Sequence, residues 1–384
     1  MSAALPSIEA RRAEALESFR VRGMPHRRFE HWKYSDLRAL LDAGQVAQAG
    51  TAKWRIEKLP AGVELFDLAA PAEAPQWVAR NLGAIGNRPT MEEASLAFAD
   101  GGVALRVTGA VSEPLRLEIS AAGNTRVLVV LEEGASLTLM ETHADDTGHL
   151  RNVGVEIALG AGAALTHLRI GTFAPKSIVV EHIAVAVARD GLYRAHLANF
   201  GARLARAELH IALQQDGAAA ELSGVSVLGG EAHSDVTSHI EHMAAKTRST
   251  QLFKYVAGGK ARAVYQGKIT VRAGAVGSDS RQTAKALLLS AQAEADLKPE
   301  LIIFADDVKC AHGAAVGDLD ADSLFYLRSR GVPEREARNL LVRAFLEEAV
   351  APIGDDTLRA EAWHEVEAAL PRAMGAEPRR GLFG

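Results

Sequence analysis

The sequence predicts a mainly β fold, a stack of parallel β coils (a β-helix) between two helical ends. Short runs of alternating apolar and polar residues fill the middle of the chain, at positions 103–107, 115–119 and 153–157. A period of two is typical of strands with one buried face. No helical segment separates these runs, which favours strands stacked on strands over an alternation of strands and helices.

Glycines start several of these strands at nearly regular intervals. Similar segments begin at Gly134, Gly162, Gly191 and Gly217, so the gaps are 28, 29 and 26 residues. A repeat of this kind predicts one coil per unit. A β-sandwich remains the alternative, because the Asp-Gly pairs ending at Gly191 and Gly217 could form hairpin turns.

Both ends of the chain have helical composition. Residues 8–21 are rich in helix formers, and Gly23 and Pro25 end that helix. Near the other end we expect a helix over 333–350 and a last helix over 357–370, ended by Pro371. The predicted regions are therefore 1–94 (helical), 95–317 (β-helix core) and 318–384 (helical). We expect the helices to cover the open ends of the coil, because unpaired strand edges promote aggregation.

The composition excludes several classes of function. The net charge of −5 gives no basic field that would recruit nucleic acid or an anionic membrane. Residues 1–9 lack a secretory pattern, and the single cysteine, Cys310, excludes a disulfide within the chain, so we expect a cytoplasmic protein. The phosphate-binding loop and the common catalytic motifs are absent from the sequence, so we expect neither a bound nucleotide nor an enzyme.

Two histidine-containing segments are candidate metal sites. Cys310 and His312 are two residues apart, so in a strand both project from one face as a thiolate and imidazole pair. Two ligands do not complete a site, so further ligands would have to come from another chain. The weaker candidate is the set His239, Glu241 and His242, since surface histidines on a β scaffold usually bind nothing.

Several segments resemble the SufB/SufD family of iron–sulfur cluster assembly proteins. They are EHWKYSDL (30–37), VYQGKITV (264–271), LLLS (287–290), KPEL (298–301), ADDVKCAHGAAVG (305–317) and LFYLRSRG (324–331). The resemblance implies a right-handed parallel β-helix flanked by helical regions. The single cysteine favours the SufD branch, because SufB members are longer and usually carry several cysteines.

The resemblance also implies partners and a role. Members of the SufD branch pair with SufB and bind the SufC ATPase through their C-terminal helices, and a cysteine desulfurase system supplies sulfur to the assembly. We therefore expect a scaffold that helps to build a transient iron–sulfur cluster, or to hold iron, at the interface with SufB, with His312 as the first ligand candidate and Cys310 as the second. On the helix over 333–350, the apolar stripe makes Leu340, Leu341 and Phe345 the candidate SufC contacts.

Two other functions stay open at this point. The chain could be a purely structural partner that holds SufB and SufC without ligating iron, or a β-helix enzyme that acts on carbohydrate, which would need paired carboxylates. Because the segment around Leu301 is apolar and would end the coil, we expect the isolated chain to form a homodimer.

Overall fold

A computed structural model describes residues 6–86, 89–120, 122–145 and 150–375. The strands are β1 (Lys53–Ile56), β2 (Val63–Asp67), β3 (Gly102–Val107), β4 (Leu115–Ser120), β5 (Gly123–Leu131), β6 (Ser136–Asp145), β7 (Leu150–Leu159), β8 (Ala164–Phe173), β9 (Ile178–Val187), β10 (Leu192–Gly201), β11 (Leu204–Leu213), β12 (Ala219–Leu228), β13 (His233–His242), β14 (Arg248–Ala257), β15 (Arg262–Val271), β16 (Asp279–Leu288), β17 (Glu294–Ile303) and β18 (Lys309–Gly317). The helices are α1 (Ile8–Arg22), α2 (Ala43–Gln48), α3 (Gln76–Asn81), α4 (Thr90–Phe98), α5 (Ala321–Ser329), α6 (Glu334–Val350) and α7 (Asp356–Ala373), with short 3-10 helices at Glu30–Trp32, Leu37–Ala39 and Pro71–Glu73.

The strands form two nine-stranded sheets that face each other across an apolar interior. One sheet, here called sheet A, runs β17-β15-β13-β11-β9-β7-β5-β3-β2, and the other, sheet B, runs β1-β4-β6-β8-β10-β12-β14-β16-β18. Neighbouring strands are parallel, except that β1 pairs antiparallel with β4 and β2 with β3. The predicted β-helix is confirmed. The sandwich is excluded, because β10 pairs in parallel with both β8 and β12 instead of forming a hairpin.

The repeated glycines lie at the turns that precede strands of sheet B. Gly134, Gly162 and Gly217 have φ values of 68°, 65° and 75°, a conformation that glycine adopts without strain. The strands then align in register, so that Leu137, for example, pairs with Leu165. Because the strands repeat regularly, the spacing of the glycines in the sequence corresponds to the number of residues in one turn of the coil.

The helical regions lie along the sides of the solenoid, which contradicts the expected end caps. Helices α6 and α7 pack on the outer face of sheet B, where they bury apolar residues such as Leu168, Val225 and Val256. Helix α4 packs on β5, β7 and β9 of sheet A, and α1 packs against α4. The physical reason is that the outer faces of both sheets carry apolar residues that must be covered. The amphipathic helices that we expected at the ends of the coil pack on these faces instead.

Three further differences concern the boundaries of the elements. Helix α7 continues to Ala373 with Pro371 inside it, because α7 packs on sheet B over its whole length and the predicted stop is overridden. Strands β1 and β2 fall within the predicted 1–94 helical region, and α4 extends past residue 94 to Phe98. Residues 1–5, 87–88 and 376–384 of the predicted helical regions lie outside the described residues.

Candidate functional site

The last two strands form the C-terminal end of the solenoid, here called the open end. β17 pairs only with β15 in sheet A, and β18 pairs only with β16 in sheet B, so the outer edge of each strand carries no further strand among the described residues. At the opposite end the edge strands are the shorter β1 and β2, each of which pairs antiparallel with a single neighbour. Backbone N–H and C=O groups at a free edge are available for pairing with another chain.

Cys310 and His312 lie on β18 and continue the stack of interior side chains. In register they neighbour Ser280 and Gln282 of β16, which are buried inside the solenoid. Because no strand follows β18, the side chain of His312 is exposed, whereas Cys310 is half-buried against the small apolar cluster that contains Ile269. The structure therefore places both predicted residues on one face, and it presents His312 at the opening.

Exposed apolar side chains surround this opening. The exposed fractions are 37% for Ile302, 43% for Ile303, 61% for Phe304 and 48% for Val316. Large apolar side chains grouped at an unpaired strand edge indicate a surface that associates with another protein.

A column of polar side chains runs inside the solenoid toward His312. Gln282 donates from Nε2 to the hydroxyl of Tyr265 (2.8 Å), which donates to Oε1 of Gln251 (3.1 Å), and Ser238 donates to that same oxygen (2.7 Å). Burial raises the pKa of Tyr265 to about 12, so its hydroxyl remains a donor at neutral pH. Oε1 of Gln282, next to His312 in register, is buried without a hydrogen-bond partner among the described residues. The interior behind the opening is therefore polar, and part of its hydrogen-bonding capacity is unused among the described residues.

The predicted stripe on α6 is only partly available to a partner. Leu340 is 45% exposed, whereas Leu341 is half-buried and Phe345 packs against the helix–sheet core, with the ammonium of Lys254 4.5 Å from its ring centre. The side of α6 that faces the protein is instead formed by Ala337, Val342, Leu346, Ala349 and Val350.

The preceding helix carries two exposed aromatic residues that the sequence reasoning missed. In α5, Phe325 is 73% exposed and Tyr326 is 58% exposed, and no residue of that helix is buried. Their signal was present in the sequence as the LFYL segment, which the sequence analysis used only as part of the family resemblance. Leu340 lies on α6, the helix that contacts α5. These three exposed residues of α5 and α6 are here called the C-terminal helix surface.

The set His239, Glu241 and His242 is divided between two faces of β13. His239 and Glu241 lie on the outer face of sheet A, whereas His242 points into the solenoid and bonds to Thr247 and Ser249. His242 is therefore not a member of a site with the other two, because side chains one residue apart on a strand point in opposite directions. Its place is taken by His210 of β11, whose Nε2 lies 3.1 Å from Oε1 of Glu241.

A second ionisable cluster is enclosed within the solenoid. Glu141 accepts hydrogen bonds from His143 (2.6 Å) and His167 (3.0 Å), and Arg169 pairs with Glu181 at 2.8 Å. Burial by itself would raise the pKa of Glu141, but the two histidine contacts outweigh it and hold that pKa well below its ordinary value. Arg169 already supplies the compensating positive charge, so the cluster serves as an internal ion-pair network.

Comparison with known proteins settles the family. A profile described as "SUF system FeS cluster assembly, SufBD core domain" matches residues 117–345, which is more than half of the chain. The chain belongs to the SufB/SufD family. This SufB/SufD protein is SufD-like, since it is 27% identical to the iron–sulfur cluster assembly protein SufD of Escherichia coli, with 91% of this chain and 90% of that protein covered.

Other relatives agree with this assignment. A SufBD family protein of Synechocystis is 34% identical over 59% of this chain, and the match spans 52% of the relative's own length. A SufBD family protein of Mycobacterium tuberculosis is 28% identical, with 96% of each chain covered. Among the described residues of this SufB/SufD protein, no helix is both long and apolar enough to cross a membrane.

Proposed function

We propose that this chain is the SufD-type scaffold subunit of a cytoplasmic iron–sulfur cluster assembly complex, in which it pairs with SufB and binds the SufC ATPase. The observation that carries the proposal is the open end of the solenoid, where β17 and β18 offer unpaired edges beside exposed apolar side chains. A second solenoid placed against these edges would pair their backbone groups and cover Ile303 and Phe304. In this arrangement the nascent cluster is cargo, and its sulfur comes from a cysteine desulfurase system.

His312 is the residue that we assign to the cluster or its iron. Its imidazole is exposed at the opening, and no hydrogen bond from the described residues engages it, so it is free to approach a metal carried by a partner. Neutral imidazole is a suitable ligand for iron. Cys310 is the secondary candidate, because its side chain packs against apolar neighbours and is less accessible than His312.

The C-terminal helix surface is the proposed contact with SufC. α5 has no buried residue and displays Phe325 and Tyr326, and Leu340 of α6 is exposed as well. Apolar side chains on helices that are not covered by the protein itself suit a helix-in-groove contact. Leu341 and Phe345 remain candidates at the margin of this surface.

The test is anaerobic co-expression of the chain with SufB and SufC, with His312→Ala as the decisive variant. We expect folding and pairing with SufB to be unchanged, while cluster formation, followed by absorption spectra and iron analysis, falls by about tenfold or more. Cys310→Ala should have the smaller effect. His364→Ala, which removes an exposed imidazole from α7, is the matched control and should behave as the unmodified complex.

The opposite outcome has a definite meaning. If the complex with His312→Ala builds clusters at the normal rate, His312 is not a ligand and the chain is a structural partner that holds SufB and SufC. If pairing with SufB is lost while the isolated variant remains folded, His312 serves the interface and the ligand assignment also fails.

A further inference from the structure

The outer face of sheet A carries three histidines on neighbouring strands. His182 lies on β9, His210 on β11 and His239 on β13, and the last two are direct partners in register. All three line a cavity of about 630 Å³ between the sheet and the N-terminal segment around His31. β15 and β17 separate β13 from the open end, and these histidines point away from the interior face that holds His312. This place in the fold is therefore distinct from the proposed cluster site.

Three ligand atoms converge beside this cavity, from His210, His239 and Glu241. Nε2 of His210 is 3.1 Å from Oε1 of Glu241, and Nδ1 of His239 is 3.9 Å from the same oxygen. One ligand atom from each of the three residues lies within 4.8 Å of the others. Ligands bound to zinc at about 2.0–2.1 Å in a tetrahedral arrangement are roughly 3.4 Å apart, so small side-chain rotations would close the set around an ion. The three side chains are 14–29% exposed, which leaves a path for the ion from solvent.

An unsatisfied nitrogen of a residue that lines the same cavity points independently to a ligand. Nδ1 of His182 is buried without a hydrogen-bond partner among the described residues, and His182 is only 4% exposed. An unsatisfied buried polar group costs about 1–3 kcal/mol, and such groups in native proteins concentrate where a bound water, an ion or a function explains them.

We propose that His210, His239 and Glu241 bind one divalent transition-metal ion, of the Fe²⁺ and Zn²⁺ class, on the outer face of sheet A. Two imidazoles and one carboxylate are the ligand types that these ions accept, and they leave coordination positions open toward the cavity for water. The site does not depend on pairing with SufB, so its test is separate from that of the proposed function.

Arg272 controls how readily the site would fill. Its guanidinium donates from Nη2 (2.6 Å) and Nε (3.1 Å) to Oε2 of Glu241, so the other oxygen faces the imidazoles. This contact orients the carboxylate, but the positive charge opposes a cation nearby. The side chain of Arg272 is 53% exposed and can move away when an ion binds.

The experiment is titration of the purified full-length chain with Co²⁺, which reports its own coordination through visible absorption, together with calorimetry. We expect one Co²⁺ site that weakens by about tenfold or more in His210→Ala, His239→Ala and Glu241→Gln. Arg272→Gln should bind Co²⁺ more tightly, which a merely structural effect would not produce. His364→Ala is the control and should keep the site, His312→Ala distinguishes this site from the open end, and thermal unfolding of each metal-free variant checks the fold.

Two results would overturn the proposal. One is the absence of Co²⁺ binding to the unmodified chain at millimolar concentration. The other is unchanged Co²⁺ affinity and spectrum in a folded His239→Ala or Glu241→Gln variant. Loss of the site in His312→Ala alone would place the metal at the open end instead and would also count against His210, His239 and Glu241.

Discussion

The guanidinium carbon of Arg206 lies 4.1 Å from the centre of the Trp32 ring, and both side chains are almost completely buried. Arg206 also donates to the backbone oxygen of His31 at 2.6 Å, to Oε1 of Glu208 and to Asp235. One residue of β11 therefore fixes the N-terminal aromatic segment to sheet A. The same segment lines the cavity that His210 and His239 also line.

Removal of this buried cation should destabilise the protein strongly. In Arg206→Ala, Glu208 and Asp235 keep their burial but lose their counter-charge, and we expect the free energy of unfolding to fall by about 3–5 kcal/mol. Urea unfolding followed by circular dichroism measures it. The control is Arg194→Ala, which removes a partly exposed ion pair with Glu221 and should cost less than about 1 kcal/mol. Equal losses in the two variants would contradict the assigned role of Arg206.

The aromatic segment shows what the sequence could and could not predict. Burial of Trp32 agrees with the general tendency of tryptophan side chains. Its cationic partner Arg206 lies 174 positions away in the sequence, on a strand that only the coil brings near. The solenoid itself was predictable, because period-two alternation and glycine spacing are local signals that recur. The covering of the sheets by helices was not, since it depends on which outer-face residues of distant strands are apolar.

The candidate site residues were also predictable only in part. Cys310 and His312 were predictable as a pair because two residues on one strand have a fixed relative direction. His210 was missed, although it precedes His239 by 29 residues, which matches the glycine repeat and would have placed the two side by side. The grouping of His242 with His239 was wrong because it ignored the alternation of side chains along β13.

Stability should decrease as the pH falls from about 6.5 to about 4. Burial lowers the pKa of His196 to about 4, whereas an unfolded histidine titrates near 6.5. Between these values the unfolded state binds a proton that the folded state does not, so each such histidine contributes a slope of about 1.4 kcal/mol per pH unit. Urea unfolding at several pH values measures the slope. His196→Gln should reduce the slope by the contribution of one proton, about 1.4 kcal/mol per pH unit. An unchanged slope in that variant would show that His196 is protonated in the folded protein.

The isolated chain should self-associate through the open end of the solenoid. Sedimentation velocity at micromolar concentration should show a dimer, and Ile303→Lys and Phe304→Lys should shift it toward monomer because charge at an edge strand opposes pairing. Val21→Lys, which changes an exposed apolar residue of α1, is the control and should leave the dimer intact. A strict monomer for the unmodified chain, or a dimer insensitive to both edge variants, would contradict this use of β17.

The C-terminal helix surface should determine binding of SufC. Phe325→Ser and Leu340→Ser each remove an exposed apolar side chain, and we expect about a tenfold loss of SufC affinity from each, with pairing to SufB unchanged. Leu59→Ser, at the β1–β2 turn, is the matched control. Unchanged SufC affinity in both variants would exclude the C-terminal helix surface as the contact.

Hydrogen–deuterium exchange of the chain alone and in complex with SufB tests the central claim most directly. Amides at the free edges of β17 and β18 should exchange rapidly in a monomeric chain, for which the Phe304→Lys variant provides the reference, and they should become protected when SufB binds the unmodified chain. Amides of β1 and β2 at the opposite end should not change. Protection at β1 and β2 without protection at β17 and β18 would contradict the assignment of the open end as the SufB-pairing surface.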